Sequence, residues 1–509
     1  MREIERKYEV PADFAFSADL RPDGTTVGEP RRHQLSSVYY DTPDLRLARE
    51  QVTLRRRTGG SDDGWHLKRR RGPDEREERQ LRPPGRAAAA VPATVSAEVR
   101  ALTRGGPLRP VVRLATLRTE WPLLDADGRV LALVADDSVS ASALDDPASA
   151  QQWREVEVEL VDGDRGLLDA VERELRGAGA APAPAGSKLA RALDGRWPGP
   201  APAPAPAGSA AAVVGDYLRA QRDVLVDFDA RVRRDEPDAV HKMRVGTRRL
   251  RSTLRTFRPL FDRDEANRLR VELRWLAEAL GGVRDAEVLG RRLSASLDDV
   301  PDELVLGPVA ARLIDGLRAD QARHRRALLR VLDGNRYAAL LDDLDELLAA
   351  PPSDRGAQPA GKELRGRVRK AVRQVEGLLD AAEQVRPDGG TDLPLPGAID
   401  RNTALHEARK AAKRARYAAE AVAPVAGAPA TRLAKAMEDL QELLGTHHDS
   451  VVTRELLLRT GLAAQAAGEN AFTYGVLYER ESAAAAAAED DVPAARKALT
   501  ARRIRTWLG

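Results

Sequence analysis

The chain has 509 residues, beyond the size at which one hydrophobic core keeps growing, so two or three domains are expected. Hydrophobic residues make up 42% and aromatic residues only 4%, which favours helices built on Leu, Val and Ala over large aromatic pockets. The 82 basic and 79 acidic residues cancel to +3, so net charge names no partner, and the absence of cysteine excludes disulfides, thiolate zinc sites and cysteine nucleophiles.

At the start, Met1-Arg2-Glu3-Ile4-Glu5-Arg6-Lys7 carries alternating charges where a signal peptide needs an apolar stretch, and no run is long and apolar enough for a membrane span. A soluble cytoplasmic protein is expected. In a strand, Glu3, Glu5 and Lys7 project from one face. Further short strands are predicted at Ser37 to Tyr40, Val52 to Arg57, Val111 to Arg118, Val130 to Ala135 and Glu155 to Leu160, with turn clusters such as Thr58 to Gly64 between them. Arg55 and Arg57 share one strand face, and so do Glu155, Glu157 and Glu159, opposite the apolar Val156, Val158 and Leu160. Lys68, Arg118 and Lys188 add cations.

A row of carboxylates is costly unless it meets water, cations or a metal. A closed barrel satisfies these strands together, with apolar faces outward against helices and both signs of charge lining the lumen. Carboxylates in that pattern suit a hard ion such as Mg2+ or Mn2+ bridging to substrate phosphates, with Arg and Lys holding the remaining phosphate oxygens.

From Pro198 to Ser209 the sequence reads PGPAPAPAPAGS, a stiff extended spacer and the clearest domain boundary. Beyond it, apolar residues recur at three- and four-residue spacing, predicting helical bundles interrupted by loops at Pro351 to Gly361 and Pro387 to Gly397. This half repeats itself. His241 and the cations Arg244, Arg248, Arg249 and Arg251 match His406, Arg409, Lys413, Arg414 and Arg416 at identical offsets. Leu280-Gly281 through Asp285 matches Leu444-Gly445 through Asp449 further on.

On a helix His241, Arg244, Arg248, Arg251 and Arg255 fall within an arc of roughly 80°, opposite Met243, Leu250, Leu254 and Phe257. His406, Arg409, Lys410, Lys413 and Arg416 likewise oppose Ala408, Ala411, Ala415, Ala419 and Val422. Two such rows of like charge call for a polyanion, and histidines among arginines predict binding that tightens as pH falls. A metal fits poorly among arginines, and at most one of the neighbouring His447 and His448 can share a site with Asp449. Nucleic acid is the poorer polyanion, since few aromatics are present to stack bases.

The histidine rows with Leu280-Gly281, Arg284-Asp285, Arg416-Tyr417, Leu440-Gln441, Leu444-Gly445 and His448-Asp449 resemble the CHAD domain over roughly residues 210 to 509. The resemblance implies two pseudo-symmetric four-helix bundles, about 210–350 and 362–509, and inorganic polyphosphate as partner, with His448 added to the binding residues. Glu3-Ile4-Glu5-Arg6-Lys7 matches the ExExK signature of the CYTH domain, the triphosphate tunnel metalloenzymes, over residues 1 to 196. Tyr39-Tyr40-Asp41-Thr42, Leu54-Arg55-Arg56-Arg57, His66-Leu67-Lys68, Arg118, Asp136, Glu155 to Leu160 and Ser187-Lys188 follow in the family's order. By that resemblance Glu3, Glu5, Glu155, Glu157 and Glu159 hold divalent ions with help from Asp136, while Lys7, Arg55, Arg57, Lys68, Arg118 and Lys188 bind triphosphate.

The expected fold is multidomain α+β: an N-terminal antiparallel β-barrel tunnel with flanking helices, a Pro/Ala linker over 197–209 and an all-α C-terminal domain. The expected function is a Mg2+- or Mn2+-dependent inorganic triphosphatase coupled to polyphosphate binding, without a membrane and with polyphosphate granules as a place of association. A non-catalytic polyphosphate adaptor, a class IV-type adenylate cyclase and a thiamine triphosphatase are the alternatives.

Overall fold

The computed structural model describes residues 2–11, 13–17, 21–22, 24–60, 62–82, 90–198, 205–384, 401–499, 501 and 507–508. The expected loop at Pro387 to Gly397 and residues 199–204 of the expected spacer lie outside the described residues. The chain divides into two compact units, Met1–Ala201 and Pro202–Gly509.

In the first unit the strands are β1 (Arg2–Glu9), β2 (Thr26–Val27), β3 (Arg31–Asp41), β4 (Val52–Thr58), β5 (Gly64–Arg70), β6 (Glu75–Leu81), β7 (Arg109–Leu124), β8 (Val130–Ala143), β9 (Asp146–Leu160) and β10 (Ala181–Pro182). Their order is β10-β1-β6-β5-β4-β3-β7-β8-β9, and β1 also pairs with β9, so eight antiparallel strands close into a barrel with β2 and β10 as short additions. Closure leaves no free edge among the eight, which lets strands this rich in charge exist without pairing to another chain. The helices are α1 (Arg46–Arg49), α2 (Ala93–Glu98), α3 (Arg100–Thr103), α4 (Arg165–Gly177) and α5 (Lys188–Leu193).

Period-two alternation decides which residues enter the lumen. Ala132 and Val134 of β8 and Val156 and Val158 of β9 face outward and pack on Leu168, Val171 and Leu175 of α4, the helix that the expectation of outer helices called for. The other principal helix departs from it. Val112, Leu114, Val139, Ala141 and Trp153 share the lumen parity of Arg118, Asp137 and Glu155, and they pack on Leu189, Ala192 and Leu193 of α5. Helix α5 therefore lies against the lumen face. Ser187 caps it, its Oγ accepting from the Ala190 N–H at 3.1 Å, which sets Lys188 in the first turn and buries it at 8% exposure. Asp41, 1% exposed, accepts from the backbone N–H groups of Thr42, Leu47 and Ala48 at 2.7, 2.9 and 3.0 Å, so the Tyr39-Tyr40-Asp41-Thr42 motif anchors α1 rather than reaching the lumen with its carboxylate.

In the second unit the helices are α6 (Ala210–Arg233), α7 (Ala239–Phe257), α8 (Arg263–Asp298), α9 (Gly316–Asp333), α10 (Asn335–Ala349), α11 (Ala360–Gln384), α12 (Arg401–Ala426), α13 (Ala428–Ala466), α14 (Phe472–Asp490) and α15 (Val492–Leu499). Helices α6 to α10 pack among themselves, α11 to α15 do the same, and α7 also packs on α12. The predicted apolar stripes are buried: Met243, Leu250, Leu254 and Phe257 on α7, and Ala408, Ala411, Ala415, Ala419 and Val422 on α12. Ser209 caps α6 and bridges to Pro359, while the Ala210 N–H donates to the Gln358 carbonyl at 2.8 Å, so the last residues of the expected spacer are built into this unit. No helix among the described residues is long and apolar enough to cross a membrane.

Candidate functional sites

The barrel encloses a cavity of about 1260 Å³ lined by Glu3, Glu5, Lys7, Arg55, Arg57, Lys68, Arg118, Glu157, Glu159 and Lys188 among others. The strand register explains the gathering. Glu5 stands opposite Glu159 and Lys7 opposite Glu157 across β1 and β9. Lys68 stands opposite Glu78 across β5 and β6, and Arg118 opposite Asp137 across β7 and β8.

Two electrostatic zones result. In the first, the Lys188 ammonium lies 2.9, 2.7 and 2.6 Å from Asp137, Glu155 and Glu157. Arg118 clamps Asp137 with two bonds of 2.8 and 2.7 Å and reaches Glu157 at 2.6 Å, and Lys7 also pairs with Glu157. Burial pushes the Glu157 carboxyl up, but Lys188, Lys7 and Arg118 together hold it well below the usual carboxylate range. Asp137, Glu155 and Glu157 have the spacing of a cation site that could bind a metal ion, and the Lys188 ammonium stands among them.

The second zone lies around Glu3, Glu5, Glu78 and Glu159. Lys68 is shared between Glu3 and Glu78 at 2.7 Å each, and Arg76 lies 2.9 Å from Glu5. Burial opposes ionisation of Glu5, but Lys7, Lys68 and Arg76 outweigh it and lower its pKa. Glu3 is pushed up to about 8 by burial and by its hydrogen bond with Glu78. Glu159 is raised by burial and by Glu5 and Glu157. Two carboxyls held up by burial and by neighbouring carboxyls, against the pull of Lys68, suit a divalent cation. On the facing strand, burial and the cations Arg55 and Arg118 lower the pKa of Arg57, and the Nε atoms of Arg55 and Arg57 are buried without a hydrogen-bond partner among the described residues. Those unfilled donors suit an anion.

Two candidates depart from their expected place: Glu155, which accepts from Trp153 Nε1 at 2.6 Å and does not line the cavity, and Asp136. Asp136 follows Val134 on the outer face of β8, where it accepts from Arg154 at 2.9 and 2.5 Å, and it does not line the cavity. The inward carboxylate is its neighbour Asp137, fully buried. Sequence reasoning also missed Arg76, Glu78, Asp62 and the lumen role of His66. Arg76 and Glu78 sit in Glu75-Arg76-Glu77-Glu78-Arg79, where charge on both faces hides the alternation that marks a strand.

In the helical unit the two basic rows meet. Arg244 reaches Asp285 at 3.1 Å and Arg409 reaches Asp449 at 3.8 Å, the same arrangement twice. Gly281 and Gly445 make room for it: a Cβ at Gly445 would lie 3.3 Å from Arg409 Nη2, and one at Gly281 3.8 Å from Arg244 Nη2. The repeated Leu-Gly and Asp thus seat the repeated Arg. The His406 and His448 rings lie 4.3 Å apart between centroids, while His447 turns away and pairs with Glu489 at 2.9 Å. Arg248 donates from Nε to the Tyr417 hydroxyl at 2.8 Å. Burial and Arg409, Arg248 and Arg244 lower Lys413 to about 6, and burial with His406, Arg409 and Lys413 lowers His448 to about 4. Burial and Arg284 lower His241, and burial and Lys410 lower His406.

The outer members of the rows differ. Burial and Arg274, Arg255 and Arg270 lower Arg251, which makes a further cation cluster. Lys410 pairs with Glu407 at 2.7 Å, and Arg416 is held by Glu420 at 2.8 Å and Glu438 at 2.6 Å, so Arg416 is neutralised by acids instead of standing open in the row.

A closed charged barrel followed by an all-helical unit whose histidine-arginine rows meet defines a two-domain protein with a charged tunnel and a basic cluster. Residues 1–193 match the CYTH domain and residues 216–458 the CHAD domain. Two proteins of Mycobacterium tuberculosis, from strains H37Rv and CDC 1551 and described as uncharacterized, are each 40% identical over 517 residues, covering 98% of this chain and 96% of theirs. The chain belongs to this family of CYTH–CHAD proteins. Among solved structures, PptA from Streptomyces chartreusis is 23% identical, covering 57% of this chain and 99% of its own, with a TM-score of 0.46. The CHAD domain from Ricinus communis is 25% identical, covering 61% and 96%, with a TM-score of 0.40.

Proposed function

We propose that the tunnel hydrolyses inorganic triphosphate with Mg2+ or Mn2+, and that the helical unit binds inorganic polyphosphate. The observation that carries the first part is the gathering, within one lumen, of the carboxyls of Glu3, Glu5, Glu78 and Glu159 with Arg55 and Arg57, whose buried Nε donors lack acceptors among the described residues. Glu3, Glu5 and Glu159 would hold the ion. When bound, it supplies charge neutralisation at the phosphate oxygens and an activated water. Asp136 has no part in this, being outside, and Glu155 and Glu157 act by fixing Lys188 and Arg118.

Arg55, Arg57, Lys68, Arg118 and Lys188 bind the phosphate oxygens, Arg55 and Arg57 bidentately and Arg118 through the Nη1 that Asp137 and Glu157 leave open, and Lys7 balances Glu5 and Glu157. More than half of the residues lining the lumen are charged, with Tyr39 and Trp197 as its large aromatic rings, which favours the inorganic substrate over ATP or thiamine triphosphate. In the helical unit the Arg244–Gly281–Asp285 and Arg409–Gly445–Asp449 sets support an internal duplication, about 210–350 and 362–509, with the two basic rows facing one polymer.

The test is phosphate release from tripolyphosphate, ATP, thiamine triphosphate and long-chain polyphosphate with added Mg2+ or Mn2+. Selective release from tripolyphosphate is expected. Preferred turnover of ATP, or cAMP formed from it, overturns the assignment.

A further inference from the structure

We propose that His66 is a positioning residue of the tunnel, holding Glu78, and through it Lys68 and Arg55, where they meet the substrate's phosphates. This rests on the triphosphatase reading above. His66 is on β5, opposite Arg55 of β4, and is 2% exposed inside a lumen otherwise lined with charge. Both ring nitrogens are taken. Nδ1 lies 2.5 Å from Glu78 Oε1 and Nε2 lies 2.7 Å from the Asp62 carbonyl oxygen. A carbonyl oxygen and a carboxylate oxygen only accept, so both ring nitrogens carry a hydrogen and donate, Nε2 to Asp62 and Nδ1 to Glu78. Neither nitrogen is left for a substrate or a reacting water, which separates His66 from a catalytic residue.

What it holds is a hub. Lys68 lies 2.7 Å from Glu78 Oε2 and 2.7 Å from Glu3, and Arg55 Nη2 lies 3.9 Å from Glu78 Oε1. At the other end, Asp62 accepts from Arg57 Nη1 at 2.8 Å, so the turn that His66 grips also sets the counter-ion of Arg57. A phenyl ring in its place fills the space but leaves a buried carboxylate oxygen without its donor. Glu78 then reorients towards Lys68 and draws it away from Glu3.

Lys68 and Arg55 hold phosphate equally in the ground and transition states, so the loss appears in KM. His66→Phe is expected to raise KM for tripolyphosphate about tenfold, with kcat changed by less than about threefold. Calorimetric titration with tripolyphosphate, without added metal, is expected to show Kd rising in parallel. His66→Asn places an amide N–H near the position of Nδ1 and is expected to recover most of the loss, whereas His66→Gln, which mimics Nε2 and reaches Asp62 instead, is not. His66→Phe with wild-type KM and Kd overturns the proposal. Should His66→Phe fail to fold, equal affinities of the Asn and Gln variants overturn it. A wild type that binds tripolyphosphate without releasing phosphate removes the triphosphatase reading, and the order of Kd values still decides the role of His66.

Discussion

Raising the pH from 7 to 8 is expected to weaken polyphosphate binding by the helical unit roughly ninefold through Lys413 alone. In the ligand-free protein burial and Arg409, Arg248 and Arg244 lower the Lys413 ammonium to about 6, against the opposing pull of Asp449, with His406, His448 and Tyr417 as the other polar groups of the cluster. At pH 7 the amine is therefore mostly neutral. Phosphate groups cancel the repulsion and return the pKa towards its ordinary value, so binding takes up a proton wherever the free lysine is neutral and the bound one is charged. Affinity then falls about fivefold between pH 6 and 7 and close to tenfold per pH unit above 7, and the lysine's contribution flattens to less than about twofold between pH 5 and 6, where the free form is itself protonated. The sequence alone places this response in the histidines; His448 is lowered to about 4, and Lys413, lowered to about 6, adds a titrating group that the sequence did not reveal.

Titration calorimetry with long-chain polyphosphate at fixed ionic strength, in two buffers of different ionisation enthalpy, reads both the slope and the proton uptake. Lys413→Met is expected to lose both. The same lysine affects folding: between about pH 6 and its ordinary range the unfolded chain binds the proton and the folded one does not. Stability of the ligand-free protein should therefore rise with pH across that window, and less so in Lys413→Met. A pH-independent affinity between pH 7 and 8, or an unchanged slope in Lys413→Met, would refute the reasoning.

Gly445→Ala puts a Cβ 3.3 Å from Arg409 Nη2, so it is expected to weaken polyphosphate binding several-fold with little change in helix content, while Gly281→Ala, with 3.8 Å to Arg244, does so less. Binding isotherms and circular dichroism check both. Asp137→Asn removes a buried partner of Arg118 and Lys188 and is expected to cost about 3–5 kcal/mol of stability with loss of triphosphate turnover. Asp136→Asn, which weakens a mostly buried two-bond pair with Arg154, is expected to cost about 1–3 kcal/mol and to leave turnover intact, as denaturant melts and phosphate release would show.

The architecture was legible because its strongest signals are local. Glu155, Glu157 and Glu159 alternate with Val156, Val158 and Leu160, so the inner and outer faces of β9 follow from the sequence. The face of β8 does not follow. Val130 to Ala135 is apolar on both faces, because outward Val134 packs on α4 while inward Leu133 lines the cavity, and adjacent aspartates then offer no parity. Only the register with Arg118 picks out Asp137. The strand β6 was hidden because its outer face is as charged as its inner one, and Glu78 and Arg76 went with it. The helical repeat fared better, since a seven-residue offset from histidine to cation is preserved whatever the packing. Its neutralised member, Arg416, could not be told from the others, because Glu420 lies one turn away on the same helix but Glu438 comes from α13.

The central claim is that the lumen carboxylates serve metal-dependent phosphoanhydride hydrolysis. The most direct measurement is phosphate release from tripolyphosphate by the full chain with Mg2+ or Mn2+, beside the double variant Glu3→Gln/Glu5→Gln. The account predicts metal-dependent release by the wild type and loss of it in the variant, with polyphosphate binding by the helical unit unchanged. No release by a folded wild type with either metal, or equal release by the variant, would contradict it.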